Sequence, residues 1–384
     1  MDDFDLDESG LRSATERARD GKLDTAAAVS RAREGRGLPA QDMAALWYAP
    51  GLTTAAIYDL ALELRRAHPV RLETFAPLYL TNTCDGTCRM CGMRSGNKAL
   101  ERDTADLARI EEQLGTLRRR GMRAVALVTG EYRAPRRRWA MEYVNQALHT
   151  ALGLQFSHVL LNIGGIDDGE FSRLLDGIER DDRGGVKPHI TISNFQETYC
   201  RAHYAKFMGV DPDNPRAGFD RRLNGFDRAR RGGLRSANPG ILLGLNRDLG
   251  WELAGFASHA RHLRAHGMQV YLSVPRLRQI AGKQHQRGAS DEEFVRLVAI
   301  LSLGLPDCKI VITTRESVAM QRQLVPIVTV LSAGSSAVAP YTDTTARYRI
   351  ETSQFRVLDQ RPFEEILREH LSSGQSIVNF QPPA

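Results

Sequence analysis

Three cysteines stand close together in the stretch NTCDGTCRMCGM, where Cys84, Cys88 and Cys91 have the spacing C-x3-C-x2-C. Thiolates bind zinc and iron–sulfur clusters, but a structural zinc site normally takes four ligands, and no fourth ligand stands nearby. Three thiolates can instead hold a [4Fe–4S] cluster and leave one iron without a protein ligand. The spacing therefore favours a cluster with an open coordination position. A zinc knot or a group of redox thiols is the alternative.

Polar side chains also stand at or just after the ends of other apolar, β-branched runs of the chain. They are Glu131, Asn162, Gln196, Glu197, Arg315 and Ser332. The planar fork of Arg315 matches a carboxylate, and Ser332 can add a hydroxyl to the same ligand. A salt bridge between Arg315 and Glu316, or a plain turn at Ser332, would be the purely structural explanation of these two residues.

Such residues act together only if the ends of separate strands meet. From Val70 onward, short apolar runs alternate with longer amphipathic segments, which is the pattern of βα units. Residues 103–120 form one predicted helix, and Ser290 with Glu293 makes a capping box at the start of another. Eight strand-like runs are present: PLYLTN, RAVALVT, FSHVLLNI, PHITIS, NPGILLGL, MQVYLSV, KIVITT and PIVTVLS. This count predicts an α/β fold, a (β/α)8 TIM-type barrel with its active site at the C-terminal ends of the strands.

The first part of the chain has a different pattern. Alanine-rich segments such as TAAAVSRAR and TTAAIYDLALELRRA have helical apolar periodicity, and no strand signal separates them. We therefore expect a helical N-terminal extension over residues 1–69. The barrel and its C-terminal tail would occupy residues 70–384.

Composition excludes several classes of function. The 52 Lys and Arg residues exceed the 46 Asp and Glu residues only slightly, and the basic clusters RAPRRRW and RARRGGLR lack interleaved aromatic residues. Solvated helix ends are therefore favoured over a nucleic-acid surface. The N-terminus is acidic, unlike a secretory signal, and no apolar run is long enough to span a bilayer. With three of five cysteines bunched, we expect a cytoplasmic protein with neither a membrane nor a nucleic-acid partner.

The segment SHARHLRAHG contains three histidines at helical spacing, His259, His262 and His266. This spacing could indicate a metal site, but the interleaved arginines would repel a cation. We therefore predict the solvated face of an amphipathic helix.

The cysteine loop after the first predicted strand resembles that of the radical SAM superfamily. In that superfamily the free iron binds the amino and carboxylate groups of S-adenosylmethionine (SAM), so the resemblance implies a [4Fe–4S] cluster and SAM as cofactors. Thr129-Gly130-Glu131 resembles the Gly-Gly-Glu element that contacts the SAM ammonium, which implies this role for Glu131. Further SAM contacts are expected from Asn162, Gln196 and Glu197. Met90 departs from the pattern, because an aromatic residue usually precedes the third cysteine.

From about Arg71 to the C-terminus, the sequence is similar to those of the aromatic amino acid lyases of this superfamily. The similar motifs include LYLTNTCDGTCRMCGMRSGN, NFQETY, LSVPRLR, VITTRES, LSAGSS, VAPY and TSQF. Within the family the similarity is greatest to the tryptophan lyases of thiopeptide biosynthesis, which make 3-methyl-2-indolic acid. A matching arginine and serine hold the substrate carboxylate in the family, and a matching tyrosine lines the same site. The resemblance thus implies a catalytic site with Arg315, Ser332 and Tyr79.

The implied activity is hydrogen abstraction from the amino group of L-tryptophan, followed by fragmentation and rearrangement to 3-methyl-2-indolic acid. A reductase or flavodoxin-type donor would supply the electron. One alternative is the same chemistry on tyrosine or another aromatic amino acid, with the side chain of tyrosine leaving as p-cresol. Another is a non-catalytic iron–sulfur or zinc regulator. Hydrogenase-maturation relatives carry a second cluster on C-terminal cysteines, and no cysteine follows Cys308, so we do not expect their activity.

Overall fold

A computed structural model describes residues 3–283 and 288–382, and a closed parallel barrel forms its centre. Each strand pairs with its neighbour in sequence, and the eighth strand returns to the first, so the predicted (β/α)8 TIM-type barrel is confirmed. A short ninth strand pairs in parallel with Leu72 and Glu73, the first two residues of β1. The strands are β1 (Leu72–Tyr79), β2 (Ala124–Val128), β3 (His158–Asn162), β4 (Ile190–Ser193), β5 (Ser236–Asn238), β6 (Gln269–Ser273), β7 (Lys309–Thr313), β8 (Val330–Ser332) and β9 (Ile377–Val378).

The barrel strands are apolar and β-branched because helices cover their outer face while side chains fill the interior. All five residues of β2, AVALV, are buried, and so are the three central residues of β7. The closing contacts pair Ala76 of β1 with Val125 of β2 and Glu73 of β1 with Val330 of β8.

Four helices precede the first strand: α1 (Glu8–Arg19), α2 (Thr25–Arg33), α3 (Ala40–Tyr48) and α4 (Thr54–Ala67). Between and after the strands lie α5 (Leu107–Arg119), α6 (Arg136–Gly153), α7 (Asp168–Leu174), α8 (Arg201–Met208), α9 (Phe219–Leu223), α10 (Gly225–Arg231), α11 (Leu249–Ala265), α12 (Asp291–Gly304), α13 (Val318–Leu324) and α14 (Phe363–Ser372). The N-terminal helices cover one side of the barrel, since α3 packs on α11 and α4 packs on α12. No helix within the described ranges is long and apolar enough to cross a membrane.

Local signals place several boundaries correctly. Ser290 and Glu293 form the predicted capping box, with the Ser290 hydroxyl accepting from the Glu293 N–H at 3.2 Å. The helix predicted over 103–120 is α5, which begins only at Leu107 because the side chain of Asp106 caps it. The predicted position of the fifth strand is wrong. The apolar run NPGILLGL starts at the last residue of β5, and Pro239 cannot donate to a strand ladder.

Two predictions of solvated surface are also wrong. His259 is fully buried, because the ring of Phe4 stacks on it at 4.6 Å and the Tyr199 hydroxyl bonds its Nδ1 at 2.7 Å. In the second basic cluster, Arg228 is buried and its Nε donates to the Ile166 carbonyl at 2.9 Å. Both residues lie beneath segments that are distant in sequence, which periodicity alone does not reveal.

Candidate active site

A cavity of about 170 Å³ opens at the C-terminal ends of the strands, and every one of the eight barrel strands contributes to its lining. The cavity brings together nine of the ten residues that the sequence singled out. They are Tyr79, Cys84, Cys88, Cys91, Glu131, Asn162, Glu197, Arg315 and Ser332. Gln196 is the exception. Its buried amide nitrogen is directed to the Phe219 carbonyl at 3.5 Å, and the contact of Gln196 with SAM stays a prediction.

The three cysteines lie on the irregular segment that follows β1. The Sγ of Cys84 accepts the backbone N–H groups of Gly86 and Glu131, both at 3.3 Å. Burial raises the pKa of Cys84 to about 11 and raises that of Cys88 further, so the thiolates need a bound cation for stability in this environment. Backbone donors aimed at a buried sulfur fit a metal-bound thiolate.

The number and arrangement of the ligands bear on the choice between a cluster and a zinc knot. Within the described residues, no three His, Cys, Asp or Glu side chains converge on the position of a single metal ion. A zinc knot requires such convergence, whereas in a [4Fe–4S] cluster each thiolate binds a different iron. The three cysteines therefore fit the cluster.

Glu131, which follows β2, is the centre of a buried charge network. Its Oε1 lies 2.6 Å from Nη1 of Arg222 and 3.1 Å from Nη1 of Arg216. Its Oε2 accepts the N–H of Gly165 at 3.2 Å. Burial opposes ionisation, but the two guanidinium groups outweigh it and lower the pKa of Glu131. Glu131 is therefore ionised, and Oε2 retains a lone pair for a cationic ligand.

A second carboxylate completes this network. Glu197 lies 2.7 Å from Nη2 of Arg216, so two carboxylates face two guanidinium groups. Neither arginine was identified from the sequence. Arg222 belongs to α9 and Arg216 precedes it, in the long connection between β4 and β5. The only available signal was the density of arginines in that connection.

Arg315 differs from these arginines because no carboxylate compensates it. Within the described part of the chain, its guanidinium forms no salt bridge, and its carbon lies 3.3 Å from the ring centre of Phe355. The neighbouring Glu316, the structural alternative, is paired with Arg276 and Arg278 instead. Burial lowers the pKa of Arg315 to about 10, so the side chain remains charged at neutral pH.

Tyr79 and Ser332 stand near Arg315 at the ends of neighbouring strands. Ser332 pairs with Thr313 in the β7–β8 ladder, two residues before Arg315. The Tyr79 hydroxyl donates to Oε1 of Gln354 at 2.6 Å. Gln354 and Phe355 lie within TSQF, a motif that the resemblance includes but to which sequence reasoning assigned no role. Both residues line the cavity.

Comparisons with known proteins identify relatives of this chain. Residues 273–375 match the biotin and thiamin synthesis associated domain. The chain is 30% identical over 321 residues to 2-iminoacetate synthase of Escherichia coli (strain K12), which covers 79% of this chain and 77% of that protein. The 2-iminoacetate synthase of Salmonella typhimurium is 28% identical over 319 residues, with the same coverage of both chains.

Two solved structures extend the comparison. The [FeFe]-hydrogenase maturase HydG from Carboxydothermus hydrogenoformans is 25% identical with a TM-score of 0.81, over 97% of this chain and 83% of that chain. Methylornithine synthase (PylB) is 19% identical with a TM-score of 0.70, over 91% of this chain and 97% of that chain, a similarity of fold alone.

A parallel barrel whose first strand leads into a three-cysteine cluster loop defines a radical SAM enzyme. Together with the curated relatives, these features show that the chain belongs to the radical SAM aromatic amino acid lyase family, which includes 2-iminoacetate synthase. Its cofactors are a [4Fe–4S] cluster and SAM. When bound, they supply a single electron and a carbon-centred radical that abstracts hydrogen.

Proposed function

We propose that this chain is a carbon–carbon lyase that converts free L-tryptophan to 3-methyl-2-indolic acid in the biosynthesis of a secondary metabolite. The observation that carries the proposal is the uncompensated guanidinium of Arg315 in the same cavity as the cysteine loop. A partly desolvated charge without a partner is costly, and a carboxylate ligand removes that cost. A free amino acid brings such a carboxylate. The choice of tryptophan rests on the sequence resemblance.

The residues divide into three groups by role. Cys84, Cys88 and Cys91 hold three irons of the cluster. Glu131 accepts the ammonium of SAM, with Asn162 and Glu197 as further contacts. Arg315 and Ser332 bind the substrate carboxylate, and Tyr79 forms a wall of the same site.

The chain's own contribution to the reaction is orientation and exclusion of water. Arg315 fixes the carboxylate by two parallel hydrogen bonds, which also fixes the direction of the amino group. The hydrogen is removed from the amino nitrogen, and a bond at Cα then breaks. A reductase or flavodoxin-type protein provides the electron.

Cleavage of tyrosine is a second candidate, favoured by the curated relatives, which are 2-iminoacetate synthases. 2-Iminoacetate keeps the nitrogen, Cα and carboxylate of an amino acid, so its formation requires cleavage between Cα and Cβ. From tyrosine, the side chain would leave as p-cresol. The same Arg315 contact would serve this reaction.

Anaerobic reconstitution with iron and sulfide separates the candidates. The protein is incubated with SAM, dithionite and either L-tryptophan or L-tyrosine, and the products are measured by mass spectrometry. 5′-Deoxyadenosine with 3-methyl-2-indolic acid supports the first candidate, and 5′-deoxyadenosine with p-cresol supports the second.

Two controls limit the interpretation. Cys84→Ala is expected to abolish SAM cleavage, because two thiolates no longer hold the cluster. If neither amino acid increases 5′-deoxyadenosine above the rate without substrate, both the tryptophan and the tyrosine candidate are excluded.

A further inference from the structure

The side chain of Gln354 joins a cluster ligand to the amino acid site. Its Nε2 donates to the Sγ of Cys91 at 3.3 Å, and its Oε1 accepts from the Tyr79 hydroxyl at 2.6 Å. A metal-bound thiolate can only accept, so it selects the nitrogen end of the amide. The oxygen end must then face Tyr79. Each contact therefore fixes the orientation that the other needs.

Two backbone hydrogen bonds also fix the position of Gln354. The Gly92 N–H, next to Cys91, donates to the Gln354 carbonyl at 3.1 Å, and the Gln354 N–H donates to the Ser336 carbonyl at 3.1 Å. A Cβ atom on Gly92 would lie 2.3 Å from the Gln354 carbonyl oxygen, so this approach requires glycine. The next residue, Phe355, stacks on Arg315. One short segment thus contacts both the cluster loop and the proposed carboxylate site.

We propose that Gln354 is a positioning residue that sets the reduction potential of the cluster through Cys91, with Tyr79 holding its amide in the donating orientation. Reduction adds negative charge to the cluster and its sulfurs. A hydrogen bond to a ligand sulfur stabilises that charge and makes the potential less negative. The inference rests on the cluster assignment, and it does not depend on which amino acid is the substrate.

A redox titration of the reconstituted protein tests this role. The reduced cluster is monitored by electron paramagnetic resonance, without SAM or substrate. Gln354→Leu removes the donor, so its midpoint potential is expected to shift to a more negative value. Tyr79→Phe releases the amide and is expected to give a smaller shift in the same direction. The double variant should match Gln354→Leu alone, because both changes act through one hydrogen bond.

Two further variants keep the test decisive. Gln360→Leu alters an exposed glutamine six residues away, whose amide donates to the nearby Val357 carbonyl, and should leave the potential unchanged. Gln354→Glu has nearly the same shape. Negative charge near Cys91 opposes reduction of the cluster, so the midpoint potential of this variant should fall as its carboxyl group ionises with rising pH, and at high pH it should lie below that of Gln354→Leu.

Equal midpoint potentials in the wild type, Gln354→Leu and Gln354→Glu would overturn the proposal, whatever their activities. If the leucine variant does not assemble a cluster, the glutamate variant alone decides the outcome. A failed search for substrate would leave these potentials measurable, so the two proposals fail independently.

Discussion

Two charged side chains in the cavity differ in how they are compensated. Glu131 has two guanidinium partners and a backbone donor, and its pKa is lowered despite burial. Arg315 has an aromatic ring and no carboxylate within the described residues, and burial lowers its pKa to about 10. The protein itself supplies the counter-charges of Glu131, whereas the guanidinium of Arg315 is free to pair with an anionic ligand in our proposal.

This difference predicts the effect of replacing Arg315. Hydrogen bonds to a charged group contribute about 1.5–3 kcal/mol, so Arg315→Leu should lower kcat/KM for the amino acid roughly 10- to 150-fold. Arg315→Lys keeps the charge but loses the planar fork, and its loss should be intermediate. Steady-state kinetics with both variants measure these changes.

SAM binding is the control for this experiment. The affinity for SAM should be the same in the wild type and both Arg315 variants. An equal loss of SAM affinity and amino acid affinity would instead mean that the cavity had collapsed.

At the scale of the element, the loop after β3 is shaped to accept Glu131. Gly164 has a φ of +87°, and a Cβ atom there would lie 2.0 Å from Cγ of Glu131. The next residue, Gly165, supplies the N–H that bonds the same carboxylate. The loop backbone therefore determines where the carboxylate of Glu131 can lie.

Gly164→Ala should accordingly weaken SAM binding. The left-handed backbone costs about 1–2 kcal/mol for alanine, and the clash displaces Glu131, so we expect a loss in SAM affinity of about tenfold or more. Equilibrium dialysis of the reconstituted protein measures the affinity. Gly169→Ala is a matched control, because nothing lies within 4 Å of a Cβ atom at this helical position. Equal affinities in the two variants would contradict the role of Gly164.

The first turn of α11 carries another buried carboxylate, Glu252, which forms no salt bridge with any residue that the structure describes. It accepts hydrogen bonds from the Thr198 hydroxyl at 2.6 Å, the Tyr199 N–H at 2.7 Å and the Asn246 amide at 2.8 Å. These contacts join α11 to the loop that follows β4. Burial outweighs them and raises the pKa of Glu252 to about 7.

The raised pKa of Glu252 predicts a pH-dependent stability. Between about pH 4.5 and pH 7 the folded state holds a proton that the unfolded state has lost, so this group's contribution to stability decreases as pH rises. The full penalty is roughly 3 kcal/mol above pH 7. Glu252→Gln removes the titration, so its Tm relative to the wild type should be higher at pH 8 than at pH 5. Scanning calorimetry at both values checks this, and the same difference at both would exclude Glu252.

At the scale of the whole molecule, the sequence predicts the features that depend on residues close to one another in the chain. The capping box at Ser290, the alternation of strands and helices, and the polar residues at strand ends were sufficient for the barrel and for nine of the residues in its cavity. Contacts between distant segments were not readable. Arg222 bonds Glu131, which lies 91 positions earlier, and Phe4, near the N-terminus, stacks on His259 in the middle of the chain.

The same limit explains the wrong bounds of β5 and the position of Gln196 outside the cavity lining. The three residues of β5 become a strand because β4 and β6 pair with them, although their own side chains give little strand signal. Gln196 is adjacent to Glu197, yet only Glu197 lines the cavity. The backbone at Glu197 has a φ of +70°, in the left-handed region, so Gln196 and Glu197 point in different directions. Tertiary packing determines such a local conformation, and the sequence motif does not predict it.

Recognition of a carboxylate by Arg315 should also be visible in global unfolding, without any chemistry. A ligand that binds only the folded state at 100 times its Kd stabilises that state by about 2.7 kcal/mol, which raises the Tm by several degrees. L-Tryptophan should therefore raise the Tm of the reconstituted protein, whereas tryptamine, which lacks the carboxylate, should not. In Arg315→Leu the two compounds should have the same small effect, because the group that distinguishes them is gone. Calorimetry under anaerobic conditions measures the Tm of both proteins with each compound. If tryptamine raised the Tm of the wild type as much as tryptophan does, the carboxylate would not be the recognised group.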